Sequence, residues 1–175
     1  QKTAYEIYQC DWSSDVCSSD LTIYARYKSK KGIVLALLDD ARFGDQYQTL
    51  VTEARAVADG RERLAISARI ARRIYEAEAG VFELVRGAAA VSPDLAQLVD
   101  DEETHRRKPQ SMLVDDLQSQ GHLRAGITRQ QAADLLWTLT SRDVFRMLVK
   151  DCHWSPDNYE AWLTETLRRE LCRDP

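Results

Sequence analysis

Apolar residues recur at intervals of three and four positions along most of the chain after residue 28. The clearest stripe runs through residues 61–90. Steps of three and four place side chains on one face of an α-helix, as in a helix that packs against a core. No segment alternates between apolar and polar residues with the period of two that a half-buried strand requires. The pattern therefore predicts an all-α fold.

Turn and capping residues divide this pattern into separate helices. In the first half the sequence predicts helices over residues 29–43, 45–57 and 61–90. Asp59 and Gly60 act as a stop signal between the last two, because glycine and aspartate favour turns over a continuing helix. The first half of the chain is therefore predicted to hold two short helices and one long one.

Three helix starts follow in the second half. Ser92 before Pro93 predicts an N-cap and first helical residue, and Gly121 predicts the end of that helix. Pro109 lies in its middle and is expected to kink or divide it. A threonine and a glutamine at capping-box spacing predict one further helix over residues 129–149. A Ser-Pro pair then predicts the start of the last helix, which is expected to end near the C-terminus.

Residues 1–21 do not share this pattern. The segment QKTAYEIYQCDWSSDVCSSDL is rich in serine and aspartate, and its two cysteines lack the spacing of a metal site. Its opening and its serine-rich part match, in order and in frame, the translation of a common short-read sequencing adapter. We therefore expect residues 1–21 to be a non-native, adapter-derived segment, and we draw no functional conclusion from them.

The remaining composition is that of one ordinary globular domain. The whole chain carries a net charge of −4, most of it from residues 1–21, so residues 22–175 are close to neutral. They lack the clustered positive charge of a non-specific DNA-binding surface. Cys152 and Cys172 show no metal or disulfide pattern, which favours a reducing cytoplasm. Apolar runs stay below the roughly 18 residues of a membrane span. We expect one cytoplasmic domain that binds no metal or cofactor.

The residues that follow the adapter-like segment read TIYARYKSK. Thr22, an aliphatic residue, Tyr24, a second aromatic residue and a Ser-Lys pair stand in this order. The stretch resembles the junction between the recognition helix and the linking helix of TetR-family transcriptional regulators. The last two predicted helices are similar to the pair through which this family dimerises. The resemblance implies that residues 22–30 end a truncated helix-turn-helix domain. Residues 31–175 would then be the effector-binding and dimerisation domain, a TetR-like C-terminal helical bundle.

The resemblance also implies partners. Thr22 and Tyr24 would contact DNA phosphates or base edges and Lys30 would contact phosphate, with operator DNA as the partner of the intact parent protein. The base-reading part of the recognition helix would precede Thr22, so this chain is not expected to read an operator. An unidentified small-molecule effector would bind the helical domain and change DNA affinity through the linking helix. The alternative is an all-α small-molecule-binding or dimerisation module without a DNA role.

Glu78 is the strongest candidate for binding such a ligand. It stands on the apolar stripe between Tyr75 and Phe82, where an aliphatic side chain is expected. A carboxylate at this point could meet a cationic or hydroxylated ligand. Alternatively, the turn is partly solvated or Glu78 pairs with an arginine of the same helix; the arginines within reach are Arg72, Arg73 and Arg86. Met112 and Trp137 complete the candidate site, although such residues more often belong to a core.

The last two predicted helices carry more apolar surface than one antiparallel pair needs. This excess favours a four-helix arrangement with a second copy of the chain, that is, a homodimer. The alternative is that both helices pack only on their own domain. The residues predicted to form the dimer interface are Leu136, Leu139, Tyr159, Trp162, Leu163 and Leu167.

Glu102 and His105 raise the question of a metal site. Their ExxH spacing places both on one helix face, as in carboxylate-bridged di-metal bundles, but the second ExxH that such a site needs is missing. A solvated charged surface is the simpler interpretation. The sequence also lacks a nucleophile elbow, a P-loop and the glycine pattern of dinucleotide-binding proteins. We predict that the protein is not an enzyme, and an all-α metalloenzyme is the third hypothesis.

Overall fold

The computed structural model describes residue 22, residues 25–42 and residues 45–173. Its helices are α1 (Lys30–Arg42), α2 (Asp45–Ala56), α3 (Gly60–Ala89), α4 (Pro93–Ser119), α5 (Arg129–Leu139), α6 (Arg142–Phe145) and α7 (Pro156–Leu171). A π-helical segment, Arg146–Asp151, continues α6. No β-strand occurs within the described ranges, which confirms the all-α prediction. The adapter-like residues 1–21 lie outside them, as does Tyr24.

Helix α3 is the centre of the bundle. It packs against α1, α2, α4 and α7 and also contacts α6. The stripe predicted for this helix is buried, because Leu64, Ala68 and Tyr75 join side chains from α4, α5 and α7 in the main core. Towards its C-terminal end, Val85 belongs to a second, smaller cluster with residues of α1 and α4. One long helix therefore connects α1 to the main core.

Several helix boundaries follow the predicted signals. The Thr128 side chain accepts a hydrogen bond from the N–H of Gln131, whose own side chain accepts one from the N–H of Thr128, so the capping box is complete. The Ser155 side chain accepts from the N–H of Asn158 at the start of α7. Gly121 follows α4 with a φ of 69°, a left-handed conformation that glycine adopts without steric cost. These three predictions are confirmed.

The Asp59-Gly60 pair marks a helix start as well as a stop. Helix α2 ends at Ala56, and the Asp59 side chain accepts a hydrogen bond from the N–H of Arg61 as the N-cap of α3. Gly60 lies so close to α4 that a Cβ at this position would approach Leu117 to 2.9 Å. The predicted boundary is correct, and these two residues also anchor the start of α3.

Helix α4 is not divided at Pro109. It runs through this residue as one helix of 27 residues, so the expected division is absent. The neighbouring Gln110 ties the helix to α5, because its Nε2 donates to the Thr140 hydroxyl oxygen at 2.7 Å. Although α4 is long, no helix among the described residues is both long and apolar enough to cross a membrane.

The prediction of a single helix over residues 129–149 is wrong, because α5 ends at Leu139 and α6 begins at Arg142. The Thr140 hydroxyl donates to the carbonyl of Leu136 at 2.6 Å, and the Ser141 side chain accepts from a backbone N–H of the next turn as the N-cap of α6. Such local side-chain hydrogen bonds compete with those of a continuous helix. The break makes Arg142 the first residue of a new helix, and this arginine belongs to the candidate site.

Candidate ligand-binding site

A small cleft lies beside α3, and residues of α6 and of the π-helical segment also line it. It encloses about 280 Å³ of empty space, part of which is open solvent. Three of the predicted ligand-binding residues, Tyr75, Glu78 and Phe82, line it together, because positions three, four and seven apart share one helix face. The other lining residues are Glu83, Arg142, Phe145, Arg146 and Lys150.

Glu78 forms the buried base of this cleft. Only 1 % of its side chain is exposed, and its Oε2 accepts a hydrogen bond from Nε of Arg142 at 3.0 Å. This arginine lies 64 residues further along the chain. Of the arginines expected as partners, Arg72 pairs with acidic residues that include Glu160, and Arg86 pairs with Asp143. The expectation of an arginine partner is therefore met from α6 rather than from within α3.

Arg142 is enclosed by two carboxylates and two aromatic rings. Its Nη1 donates to Oε1 of Glu103 at 3.0 Å. Its guanidinium carbon lies 4.1 Å from the ring centre of Phe82 and 5.2 Å from that of Tyr75, close enough for cation–π attraction. Burial, the largest single influence, lowers the pKa of Arg142, but the neighbouring groups, led by the Glu78 carboxylate and including Glu103, together raise it more, so the guanidinium stays charged.

Glu103 connects this pair to a second group of polar side chains on α4 and α5. Its Oε2 accepts from Nη2 of Arg106 at 2.6 Å and from Nε1 of Trp137 at 3.1 Å. Arg106 Nη1 donates in turn to the carbonyl of Trp137 at 2.8 Å and to the Thr140 side chain. Two carboxylates and two guanidiniums thus compensate each other where burial makes an uncompensated charge costly.

The remaining predicted ligand candidates do not line the cleft. Trp137 donates a hydrogen bond from its Nε1 to Glu103. The guanidinium carbon of Arg107 lies 4.0 Å from the ring centre of Trp137. Met112 is 57 % exposed on α4. The structure therefore gathers the three α3 candidates and leaves Met112 and Trp137 apart from them.

The sequence did not indicate Arg142, Glu103 or Arg106 as site residues. The sequence predicts a continuous helix through Arg142, and it favours solvated surface for the charged run that contains Glu103 and Arg106. The one available signal was Ser141, a residue type that favours helix N-caps, directly before Arg142. It could have predicted the break, although not the contact with Glu78.

Tyr75 and Phe145, two aromatic residues that line the cleft, form a cluster with Tyr159. The Tyr75 hydroxyl donates to the carbonyl of Thr140 at 2.6 Å. The Phe145 ring lies 5.7 Å from that of Tyr75 and 4.9 Å from that of Tyr159, the second contact edge-on. The buried Tyr159 hydroxyl has no hydrogen-bond partner among the residues that the structure describes. Burial raises the pKa of both tyrosines, so both hydroxyls are neutral at physiological pH.

Removing these two hydroxyls one at a time should have unequal effects. We expect Tyr75→Phe to lower the free energy of unfolding by about 1 kcal/mol, because it deletes a buried hydrogen bond. Tyr159→Phe should be neutral or stabilising, because it removes a buried hydroxyl that has no described partner. Urea denaturation followed by circular dichroism measures both. An equal loss in the two variants would mean that the Tyr159 hydroxyl has a partner in solution.

The residues predicted to contact DNA precede the bundle. Thr22 is exposed and helical, Lys30 is the first residue of α1, and Tyr24 lies outside the described residues. Ser29 directly precedes α1, and its Oγ accepts a hydrogen bond from the N–H of Gly32 at 3.0 Å. The described pair, Thr22 and Lys30, is therefore separate from the cleft.

The predicted dimer residues divide into two groups. Leu136, Tyr159, Leu163 and Leu167 have 0 % exposure within one chain. They cannot meet a second copy directly, and their assignment to the interface is corrected: they form the protomer core. The two other residues of that set, Leu139 and Trp162, keep part of their surface exposed.

Glu102 and His105 do not belong to a recognisable metal site. His105 is exposed on α4 and Glu102 is half-buried. Within the described part of the chain, no three His, Cys, Asp or Glu side chains are grouped so that they could hold a metal ion.

Comparisons with known proteins bear on the fold. No protein-family model matches the chain, and no curated protein sequence matches it. Among solved structures, it is similar to a candidate transcriptional regulator from Saccharomonospora viridis, crystallised in complex with choline. The TM-score is 0.70 at 21 % sequence identity, with 88 % of this chain and 81 % of that chain covered. The chain therefore shares the all-α fold of that candidate regulator.

Proposed function

We propose that this chain is the effector-binding and dimerisation part of a TetR-like transcriptional regulator, and that its effector is a small organic cation. The observation that carries the proposal is the Glu78 carboxylate, buried in a cleft that the rings of Tyr75 and Phe82 also line. The fold that this chain shares with a candidate regulator crystallised with choline supports both the regulator role and the cationic effector.

The aromatic rings and the buried carboxylate suit a cation better than a neutral ligand, although three basic side chains, Arg142, Arg146 and Lys150, also line the cleft. Aromatic faces attract alkylammonium and quaternary ammonium groups, and a positive charge, from an arginine or from a ligand, stabilises a buried carboxylate. The empty space of about 280 Å³ includes open solvent, so the enclosed part of the cleft is small. A small cation is therefore a better match than a large lipophilic molecule.

Helix α3 offers a route from the cleft to the DNA-binding end. Phe82, in the cleft, lies one turn from Val85, which packs with Val34 and Leu35 of α1. A ligand would change DNA affinity only if it bound one arrangement of α1 better than another. In the intact parent protein, Thr22, Tyr24 and Lys30 would then position DNA phosphates, and dimer geometry would set the half-site spacing.

The regulator is proposed to act as a cytoplasmic homodimer through α5 and α7. Leu139 and Trp162, which keep exposed surface, remain the candidates for this interface. Trp154, half-buried, lies edge-on to Trp162 with ring centres 6.0 Å apart. Aromatic residues of this kind are enriched where protein surfaces meet.

Choline binding tests the proposal directly. Isothermal titration should show that the chain binds choline and that Glu78→Gln weakens binding by about 1–3 kcal/mol, because the charged hydrogen-bond acceptor is lost. Glu76→Gln is the matched control, since Glu76 lies on the same helix, is exposed and pairs with Arg72. It should change the affinity little.

A neutral ligand separates charge recognition from simple apolar binding. The uncharged carbon analogue of choline, 3,3-dimethylbutan-1-ol, has nearly the same shape and should bind much more weakly. Equal binding of the alcohol and choline would contradict a cation site. An unchanged choline affinity in Glu78→Gln would remove Glu78 from it.

A further inference from the structure

The proposed cation site is already filled by a cation of the chain itself. The Arg142 guanidinium bonds to Glu78 and Glu103, both at 3.0 Å, and lies over the rings of Phe82 and Tyr75. Carboxylates and aromatic faces are the two features by which a protein recognises an organic cation. The guanidinium thus occupies the place in which the effector would bind.

We propose that Arg142 is a built-in competitor of the effector, so that an organic cation binds only by displacing its guanidinium from Glu78. The inference rests on the proposed function and adds its regulation. Arg142 thereby sets the effector concentration at which the protein responds, and its release is the first conformational step of that response.

The burial of Glu78 favours exchange over simple addition. With 1 % of its side chain exposed and Arg142 bonded to Oε2, Glu78 is not reached by a cation from solvent unless the arginine moves. A cation added beside Arg142 would place two positive charges together, where low polarity makes their repulsion strong. An exchange leaves the buried carboxylate with a positive partner both before and after the ligand binds.

Two acidic side chains near the cleft can bind the guanidinium after it leaves Glu78. Glu103, its second partner, is 29 % exposed and is also held by Arg106. Arg142 can therefore keep one carboxylate bond while it leaves the other. Glu83, exposed at the mouth of the cleft, offers a further partner.

The position of Arg142 in the chain connects its release to the backbone. It is the first residue of α6, which has four residues, and the π-helical segment follows directly. π-Helical turns are rare and are frequently found at functional sites. Arg146 of this segment lines the same cleft. A movement of the Arg142 side chain away from Glu78 therefore acts directly on this short helix and on the π-helical segment that follows it.

Two variants test the competition, with choline as the probe in isothermal titration. Arg142→Gln removes the competitor, whereas Glu103→Gln keeps both Arg142 and Glu78 but deletes one of the two charged partners of the arginine. If the displaced state is about 1–10 % populated, Arg142→Gln should bind choline about 10- to 100-fold more tightly than the wild type. Glu103→Gln should bind it more tightly by a smaller factor.

Arg86→Gln is the matched control. Arg86 also joins α3 to α6, through Asp143, but it is exposed and does not line the cleft. Its loss removes the same charge and should leave choline affinity unchanged within about twofold, because the pair is surface-exposed. In the wild type, the NMR signal of the Arg142 Nε–H should shift and exchange faster with water when choline is added.

The outcomes separate this inference from the proposed function. Tighter binding by both variants supports competition by Arg142. Wild-type binding that neither variant strengthens overturns the competition and leaves the cation site intact. If neither the wild type nor any variant binds choline, the cation site itself is wrong. Should Arg142→Gln fail to fold, Glu103→Gln and the NMR signal of Arg142 decide.

Discussion

Replacing Arg142 by methionine is expected to destabilise the folded chain by about 3–5 kcal/mol, because it removes the guanidinium that compensates a buried carboxylate. Glu78 is 1 % exposed and Arg142 11 % exposed, so solvent cannot substitute for the lost partner. Glu103 is affected less, since it keeps its bonds to Arg106 and Trp137. Urea denaturation at neutral pH measures the loss.

The double variant Glu78→Leu with Arg142→Met should recover most of this loss. A buried ion pair can often be replaced by apolar residues of similar volume at little cost, whereas removing one partner alone is severe. Methionine can pack on the Phe82 ring that the guanidinium now covers. The exposed pair of Arg86 and Asp143 is the control, and its loss should cost about 0–1 kcal/mol. If Arg142→Met costs no more than Arg86→Met, Glu78 is solvated in solution and the buried pair is wrong.

The role of this pair also shows which part of the site could be predicted from the sequence. Glu78 was identifiable because a carboxylate interrupts an apolar stripe, and a stripe depends only on local spacing. Its partner could not be identified, since Arg142 lies 64 positions away and reaches the cleft only through the break at Thr140 and Ser141. A long-range contact depends on how helices pack, which periodicity does not encode.

The helix boundaries show the same limit. The capping box at Thr128 depends on neighbouring residues and was predicted correctly, whereas the break after Leu139 was missed. There the apolar spacing continues across residues that end the helix through side-chain hydrogen bonds. The sequence predicts that Pro109 kinks or divides α4, and the helix continues through it undivided. Local rules succeed where nothing distant competes with them.

Four of the six residues predicted for the dimer interface lie in the protomer core for a related reason. Hydrophobic periodicity shows that one face of a helix is covered, but not which neighbour covers it. In α7, residues such as Leu163 and Leu167 are covered by the core that α3, α4 and α5 of the same chain provide. Trp162 is adjacent to Leu163 in sequence but keeps exposed surface. Neighbouring positions on one helix can therefore have different partners.

Substituting Leu163 by alanine is accordingly expected to lower the free energy of unfolding by about 2–5 kcal/mol, through lost burial and the cavity left behind. Leu163 has 0 % exposure in the main core. A loss of this size is a large part of the roughly 5–15 kcal/mol that stabilises a typical domain. Leu84→Ala is the control, because Leu84 is 76 % exposed and its truncation should cost less than about 0.5 kcal/mol.

The same variants separate the protomer core from the proposed dimer interface. Sedimentation velocity at a temperature where all variants are folded should show an unchanged monomer–dimer equilibrium for Leu163→Ala, because its side chain has no surface to offer a second copy. Trp162→Ala should shift that equilibrium towards monomer, because truncating an interface tryptophan often costs much of the binding energy. If the wild type is monomeric at micromolar concentration, the homodimer is wrong. If Leu163→Ala dissociates a folded dimer while Trp162→Ala does not, α7 packs differently in the assembled protein.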